Sequence, residues 1–211
     1  MASVAFEGFP VEALDFYDDL ETDNTKSFWA AHKHVWERSV RDPMVALTDA
    51  LTQEFGPAKI FRPYRDVRFA KDKTPYKDHQ GAFVAVAPAT GWYLELGSPG
   101  VRVGAGFYQA DADRLGRIRE AIAEDRRGGD LERLLAALER RGWNRWGETL
   151  RTAPRGYPAD HPRIELLCHK SLAMGRSYGF EDVIHTPALL DRVRADWRAA
   201  RPFVEWLVDA G

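Results

Sequence analysis

The stretch Phe83-Val-Ala-Val-Ala-Pro-Ala-Thr-Gly-Trp92-Tyr-Leu-Glu-Leu-Gly-Ser-Pro-Gly100-Val-Arg-Val-Gly-Ala-Gly-Phe-Tyr108 decides the fold, because here the hydrophobic period changes from helical spacing to two. Phe83 to Ala87, Trp92 to Leu96 and Val101 to Tyr108 read as strands bounded by turn residues. In the last of them Val101, Val103, Ala105 and Phe107 share one face, opposite Arg102, Gly104, Gly106 and Tyr108. The turn Gly97-Ser98-Pro99-Gly100 joins the last two strands as an antiparallel hairpin. Gly104 and Gly106 weaken a strand, so another group is expected close to the backbone on their face.

Outward from these strands the spacing is helical. Pro10 to Leu20 predicts a short helix with Leu14, Tyr17 and Leu20 on one side. A longer helix follows from Thr25 to Arg41, with Phe28, Ala31 and Val35 on one apolar row and Trp29, Trp36 and Val40 on the next. Asp42-Pro43 reads as a cap and a first-turn proline opening a third helix, which faces Met44, Leu47, Leu51 and Phe55 inward and stops at Gly56-Pro57. After the strands, Leu115, Ile118 and Ile122 and then Leu131, Leu134 and Leu138 carry helical spacing, closed by Arg141-Gly142-Trp143. A proline- and glycine-rich loop from Arg151 to Asp160 leads to a short helix ending at Leu167, and Leu172 to Tyr178 reads as another strand. The last helix starts at Thr186-Pro187 with Leu190, Val193, Trp197, Ala200, Val204 and Leu207 on one stripe, and Pro202 is expected to kink or split it. Helices on both sides of a run of hairpin strands, without βαβ alternation, define an α+β fold: a central, mainly antiparallel sheet flanked by helices.

The 211 residues suit a single domain over 1–211. The opening Met1 to Glu7 lacks a basic region followed by an apolar run, and no apolar stretch approaches the roughly 20 residues that cross a bilayer. These features argue for a cytoplasmic protein with no membrane partner. Cys168 is the only cysteine, so there is no intrachain disulfide, and its apolar surroundings suggest a small core residue. The net charge of −2 argues against a general nucleic-acid binder.

That charge is unevenly placed. Lys59, Arg62, Arg65, Arg68, Lys71, Lys73 and Lys77 lie close together with only Asp66, Asp72 and Asp78 between them, so the remainder of the chain is correspondingly acidic. The segment Arg62 to His79 interleaves these cations with tyrosines and prolines, a mixture suited to gripping phosphate or carboxylate. If residues 65–69 are extended, Arg65, Val67 and Phe69 face one way while Asp66 and Arg68 face the other and can pair. A second loop, Pro154 to Pro162, brings Arg155 and His161 to a helix N-terminus, where orphan N–H groups favour an anion or where Asp160 or His161 simply caps the helix. His32 and His34 fall on different helix faces, and His161 and His169 lie too far apart to share an ion, so no metal site is read. Nucleotide-binding glycine loops and a nucleophile elbow are absent, and no cofactor follows from the sequence.

Phe6-Glu-Gly-Phe9, Asn24 to Trp36 with His32-Lys33, Arg65-Asp-Val-Arg-Phe69, Lys71-Asp-Lys73, Pro75-Tyr-Lys77, Gly104-Ala-Gly106, Pro154-Arg-Gly-Tyr157, Asp160-His-Pro162 and Arg201 to Leu207 together resemble one family, domain of unknown function 2461. The resemblance covers nearly the full chain and implies its limits. It implies no mechanism, since the family carries no assigned activity. Asp23-Asn24 stands where the family pattern has two asparagines.

Three readings follow. In the first, the protein binds or acts on an anionic small molecule, with Arg65, Arg68, Lys71, Lys73, Tyr76, Lys77 and Arg155 as ligand contacts and Asp66 or His161 as proton carriers. In the second, the basic segment docks on an acidic protein or nucleic acid. In the third, it is an ion-paired structural connection. The sequence leaves the oligomeric state open.

Overall fold

The computed structural model describes residues 5–211; part of the N-terminal stretch read above for a targeting signal lies outside them. Six strands form one antiparallel sheet among the described residues: β1 (Ala58–Ile60), β2 (His79–Ala87), β3 (Thr90–Gly97), β4 (Gly100–Phe107), β5 (Asn144–Trp146) and β6 (Leu172–Gly179). Their spatial order is β1-β2-β3-β4-β6-β5. The helices are α1 (Glu12–Thr22), α2 (Lys26–Val35), α3 (Asp42–Phe55), α4 (Ala112–Ala123), α5 (Asp125–Glu139), α6 (Ile164–Leu167) and α7 (Ala188–Ala210). The α+β reading holds. The two strands without a counterpart in the sequence pattern, β1 and β5, have three residues each, too few for a period to show.

The chain gathers into two compact units. The first takes the chain up to Val84, Tyr93–Val103 and Ser177–Ala195. Its core is built from Leu14, Phe16, Tyr17 and Leu20 of α1, Trp29 of α2 and Met44, Leu47, Leu51 and Phe55 of α3. Thr25 caps α2 by accepting the Phe28 N–H at 3.2 Å. Asp42 does not cap α3. The chain stays helical from Lys26 to Phe55, passing through a wide π turn over Trp36–Arg41 in which the Asp42 N–H reaches back to the Glu37 carbonyl. Pro43 has no N–H to give and its ring crowds the carbonyl four residues back, so a wider turn is an economical way to continue the helix. The Asp42 carboxylate instead accepts from Arg41 Nε at 3.0 Å.

The second unit comprises Ala85–Trp92, Gly104–Arg176 and Asp196–Gly211. Ile118 and Ile122 of α4, Leu131, Leu135 and Leu138 of α5, and Trp197, Phe203 and Leu207 of α7 are buried there, with Trp92 stacked on Trp197 at 5.7 Å. Pro202 does not split α7, which runs unbroken to Ala210. Cys168 is not a core residue: it is partly exposed at the end of α6, its thiol 3.6 Å from the Thr152 carbonyl, because α6 offers a single turn and leaves that position at the surface.

The close approach expected along β4 is real at Gly106. Its φ is +144°, and a Cβ there would collide with the backbone of Leu172 and Ala173 on β6. Gly116 in α4 differs, with open space where a Cβ would stand. Gly106→Ala should therefore cost about 3 kcal/mol or more, while Gly116→Ala should stabilise by up to about 1 kcal/mol. Urea unfolding of the two variants checks this; equal midpoints would refute the β4–β6 approach.

Candidate functional site

The basic segment is the outer part of a β-hairpin arm. Its stem starts where β1 pairs with β2, Ala58 opposite Val84 and Ile60 opposite Ala82. Pairing continues outward through Phe61 N–H to the Gly81 carbonyl, Lys77 N–H to the Pro63 carbonyl and Arg65 N–H to the Pro75 carbonyl, at 2.8–2.9 Å, with Tyr64 opposite Tyr76. Between the Phe61–Gly81 and Tyr64–Tyr76 pairings the outgoing strand has Arg62 and Pro63, whereas the returning strand has residues 77–80. This excess is a bulge, which re-aims the side chains it carries.

The arm is pinned from α2 and the turn before it. The Asn24 side chain donates to the Tyr76 carbonyl and accepts the Tyr76 N–H, both at 3.1 Å. One amide thus replaces the ladder partner that the returning strand lacks on that edge. Beside it the Trp29 ring stacks on Tyr76 at 4.3 Å, nearly parallel, and Tyr64 lies 5.4 Å from Tyr76. Tyr76, nominated above as a ligand contact, is buried in this stack.

The tip from Asp66 to Thr74 is held by its own charges. Arg65 bonds Asp72 and Thr74, and Asp72 also accepts the Thr74 N–H at 2.9 Å. Arg68 grips Asp66 with both arms of its fork, at 2.9 and 2.7 Å, as the alternation implied. Lys73 donates to the Val67 carbonyl at 2.9 Å. The Thr74 N–H and Arg65 hold the Asp72 carboxyl down at about 2, and Arg68 lowers that of Asp66. A carboxylate held ionised in this way is a weak proton acceptor near neutral pH, which bears on Asp66 as a proton carrier. Lys71 is exposed, and Phe69 stands almost wholly in solvent at 96% exposure.

At the stem the balance differs. The Lys77 ammonium lies 5.2 Å over the Phe61 ring. Partial burial lowers its pKa, and the Arg62 guanidinium lowers it further. No carboxylate among the described residues lies within ion-pairing distance of Arg62 or Lys77. Arg62 also acts at longer range on Asp66.

Next to the stem, on the face of the sheet shared by β2, β3 and β4, is a polar cluster that the sequence reading did not nominate. His79 Nδ1 is 2.6 Å from Asp78, and its Nε2 is 3.7 Å from Glu95. Glu95 accepts from the Tyr93 hydroxyl at 2.5 Å and from Arg102 at 3.2 Å. Burial, and then the Glu95 charge, push the Tyr93 phenol up. Gly81 leaves room for the Tyr93 and Phe61 rings, since a Cβ there would meet the Tyr93 hydroxyl at 2.8 Å. Part of this was available in the sequence: counting outward from Gly97-Ser-Pro-Gly100 places Glu95 opposite Arg102. The bulge that turns Asp78 and His79 toward them left no sequence signal.

Arg155 and His161 lie in the second unit. Arg155 is exposed, and His161 closes its own loop by accepting the Arg163 N–H at Nδ1, 3.0 Å away. The helix that follows has only four residues and starts from Arg163 with no side-chain cap, so neither Asp160 nor His161 caps it, and His161 braces the loop before it. Among the described residues no group of three or more His, Cys, Asp or Glu is arranged to hold a metal ion, and no helix is long and apolar enough to cross a membrane.

These features define an α+β protein that carries a charged, aromatic-anchored hairpin arm at one edge of its sheet. The chain belongs to the family described as conserved hypothetical protein, domain of unknown function 2461, whose model matches residues 12–206. No curated protein and no solved structure matches it.

The Asp72 pairing fixes a pH response. A carboxyl whose folded pKa lies below its unfolded value contributes order above the unfolded pKa and loses it as pH falls through the folded one. The Thr74 amide resonance should therefore hold steady down to pH 4 and titrate with a midpoint of about 2. A midpoint near 4 in an NMR titration would mean that the Arg65–Asp72–Thr74 contacts are not populated.

Proposed function

We propose that the protein binds an anionic small molecule, carrying a phosphate or carboxylate, at the stem of the arm. Two cations on opposite strands of the stem carry this reading: Arg62, and Lys77, on which the Arg62 charge acts. Two like charges, one of them partly withdrawn from water and neither ion-paired, repel each other, and a bound oxyanion relieves both the repulsion and the lost solvation. Lys71 and Lys73 add longer-range attraction, and the Phe61 ring gives the ligand an apolar wall. Arg65 and Arg68, already engaged with Asp72 and Asp66, contribute by shaping the arm. The structural reading of the segment thus suits its tip, and the binding reading suits its stem.

The test is titration of the purified protein with inorganic phosphate, sugar phosphates and small carboxylates, followed by calorimetry and by the Lys77 side-chain resonances. Lys77→Met keeps the packing on Phe61 and removes the charge. Its affinity for the bound anion should drop at least tenfold, about 1.4 kcal/mol. Without ligand the variant should be no less stable than the wild type. A lysine whose pKa is lower folded than unfolded costs stability while charged, and the cost fades as pH rises toward its unfolded value of 10.5. The wild type should therefore gain on Lys77→Met as pH rises through the lowered folded pKa toward 10.5, and anion binding should move the Lys77 pKa up. Absence of any stabilising anion, or a Lys77 pKa unmoved by phosphate, would overturn the proposal.

A further inference from the structure

The arm tip poses a separate problem from its stem. Among the described residues Phe69 is the most exposed of the large apolar side chains, at 96%, and it sits between the exposed Arg68 and Lys71. A lone exposed apolar residue is ordinary, but a ring held at the end of a cross-braced hairpin is a preorganised anchor: its backbone is fixed before any partner arrives. The braces are the Arg65–Asp72, Arg68–Asp66 and Lys73–Val67 contacts.

The second unit carries a feature of matching chemistry. A cleft of about 510 Å³ lies between α5 and α7, with Leu134, Pro202 and Trp206 as its apolar lining and Asp130, Glu205 and Asp209 as its acids. Arg133 pairs with Asp130, whereas Glu205 and Asp209 enter no ion pair among the described residues. The cleft is large enough for one aromatic ring and offers carboxylates to cations beside it.

We propose that the chain associates head to tail with a second copy of itself, the arm tip of one copy seating Phe69 in the α5–α7 cleft of the next. Lys71 then faces Glu205 and Asp209, while Arg68 stays on Asp66 and keeps the tip braced. The charge distribution along the chain favours this orientation, since a basic arm belongs to an otherwise acidic protein and each copy holds both halves of the complement. A tip-in-cleft contact uses two different surfaces, so it is heterologous and grows into chains or rings that depend on concentration. Its small area makes it weak, with a dissociation constant on the order of 100 μM, and its ion pairs make it salt-sensitive.

Sedimentation velocity tests this with two complementary variants of the full chain. Phe69→Ser disables the tip, and the double variant Glu205→Lys/Asp209→Lys disables the cleft. All three positions are exposed, so both variants should fold. The wild type should form larger species as its concentration approaches about 1 mM at low salt. Each variant alone should remain monomeric. An equimolar mixture should give a dimer and nothing larger, because only one good tip and one good cleft remain. A wild type that stays monomeric at that concentration would overturn the proposal. So would association of either variant alone, or a mixture that stays monomeric while the wild type associates.

Discussion

Two hydrogen bonds from one side chain hold the arm to the rest of the first unit. Asn24 matches both the donor and the acceptor of Tyr76, and the Trp29 ring stacks on the buried Tyr76 ring beside them. The pairing matters because the bonds are partly buried, where an unmatched amide or carbonyl costs more than a matched one gains. Everything outward of Tyr76 inherits its direction from this point. The Arg65–Thr74 bracing closes the tip only because the two strands beneath it are already in register.

The arm sorts its charges by position. At the tip each aspartate takes the arginine nearest to it, so those cations are local fasteners. At the stem Arg62 and Lys77 stand on opposite strands of the hairpin, the charge of one acting on the other, and neither enters an ion pair among the described residues. Beyond them Asp78, His79, Glu95, Tyr93 and Arg102 form a connected set, in which Arg102 pairs with Glu95 and the His79 ring lies between the Asp78 and Glu95 carboxylates. Uncompensated positive charge is therefore narrower than the run of seven cations suggests.

The sequence made the alternation of β4, the Gly97–Gly100 turn and the apolar stripes of α3, α5 and α7 visible because each repeats a simple period over many residues. It did not make β1 and β5 visible, since three residues carry no period. Nor did it reveal the hairpin character of 58–84, whose strands are interrupted by prolines and closed by charged residues that look like a solvated loop. The Asp66–Arg68 pair was legible from two-residue spacing. Arg65–Asp72 was not, because it depends on how the tip folds back. The candidate contacts therefore divided in a way that composition alone could not anticipate: Tyr76 went to the core, Arg65 and Arg68 to internal pairs, and His161 to a bond within its own loop.

The π turn at Trp36–Arg41 also governs the phase of the long helix that contains it. On an ideal α-helix each four-residue step overshoots a full turn by about 40°, so Trp36, Val40 and Met44 would fan progressively around the barrel of the helix. A wider turn takes back that overshoot, and all three are buried on one side. The segment works like the escapement of a clock, resetting the angle between the part that carries Trp29 and the part that carries Leu47 and Leu51. Losing one residue there would be felt as a rotation of one half against the other, with the length of the helix almost unchanged.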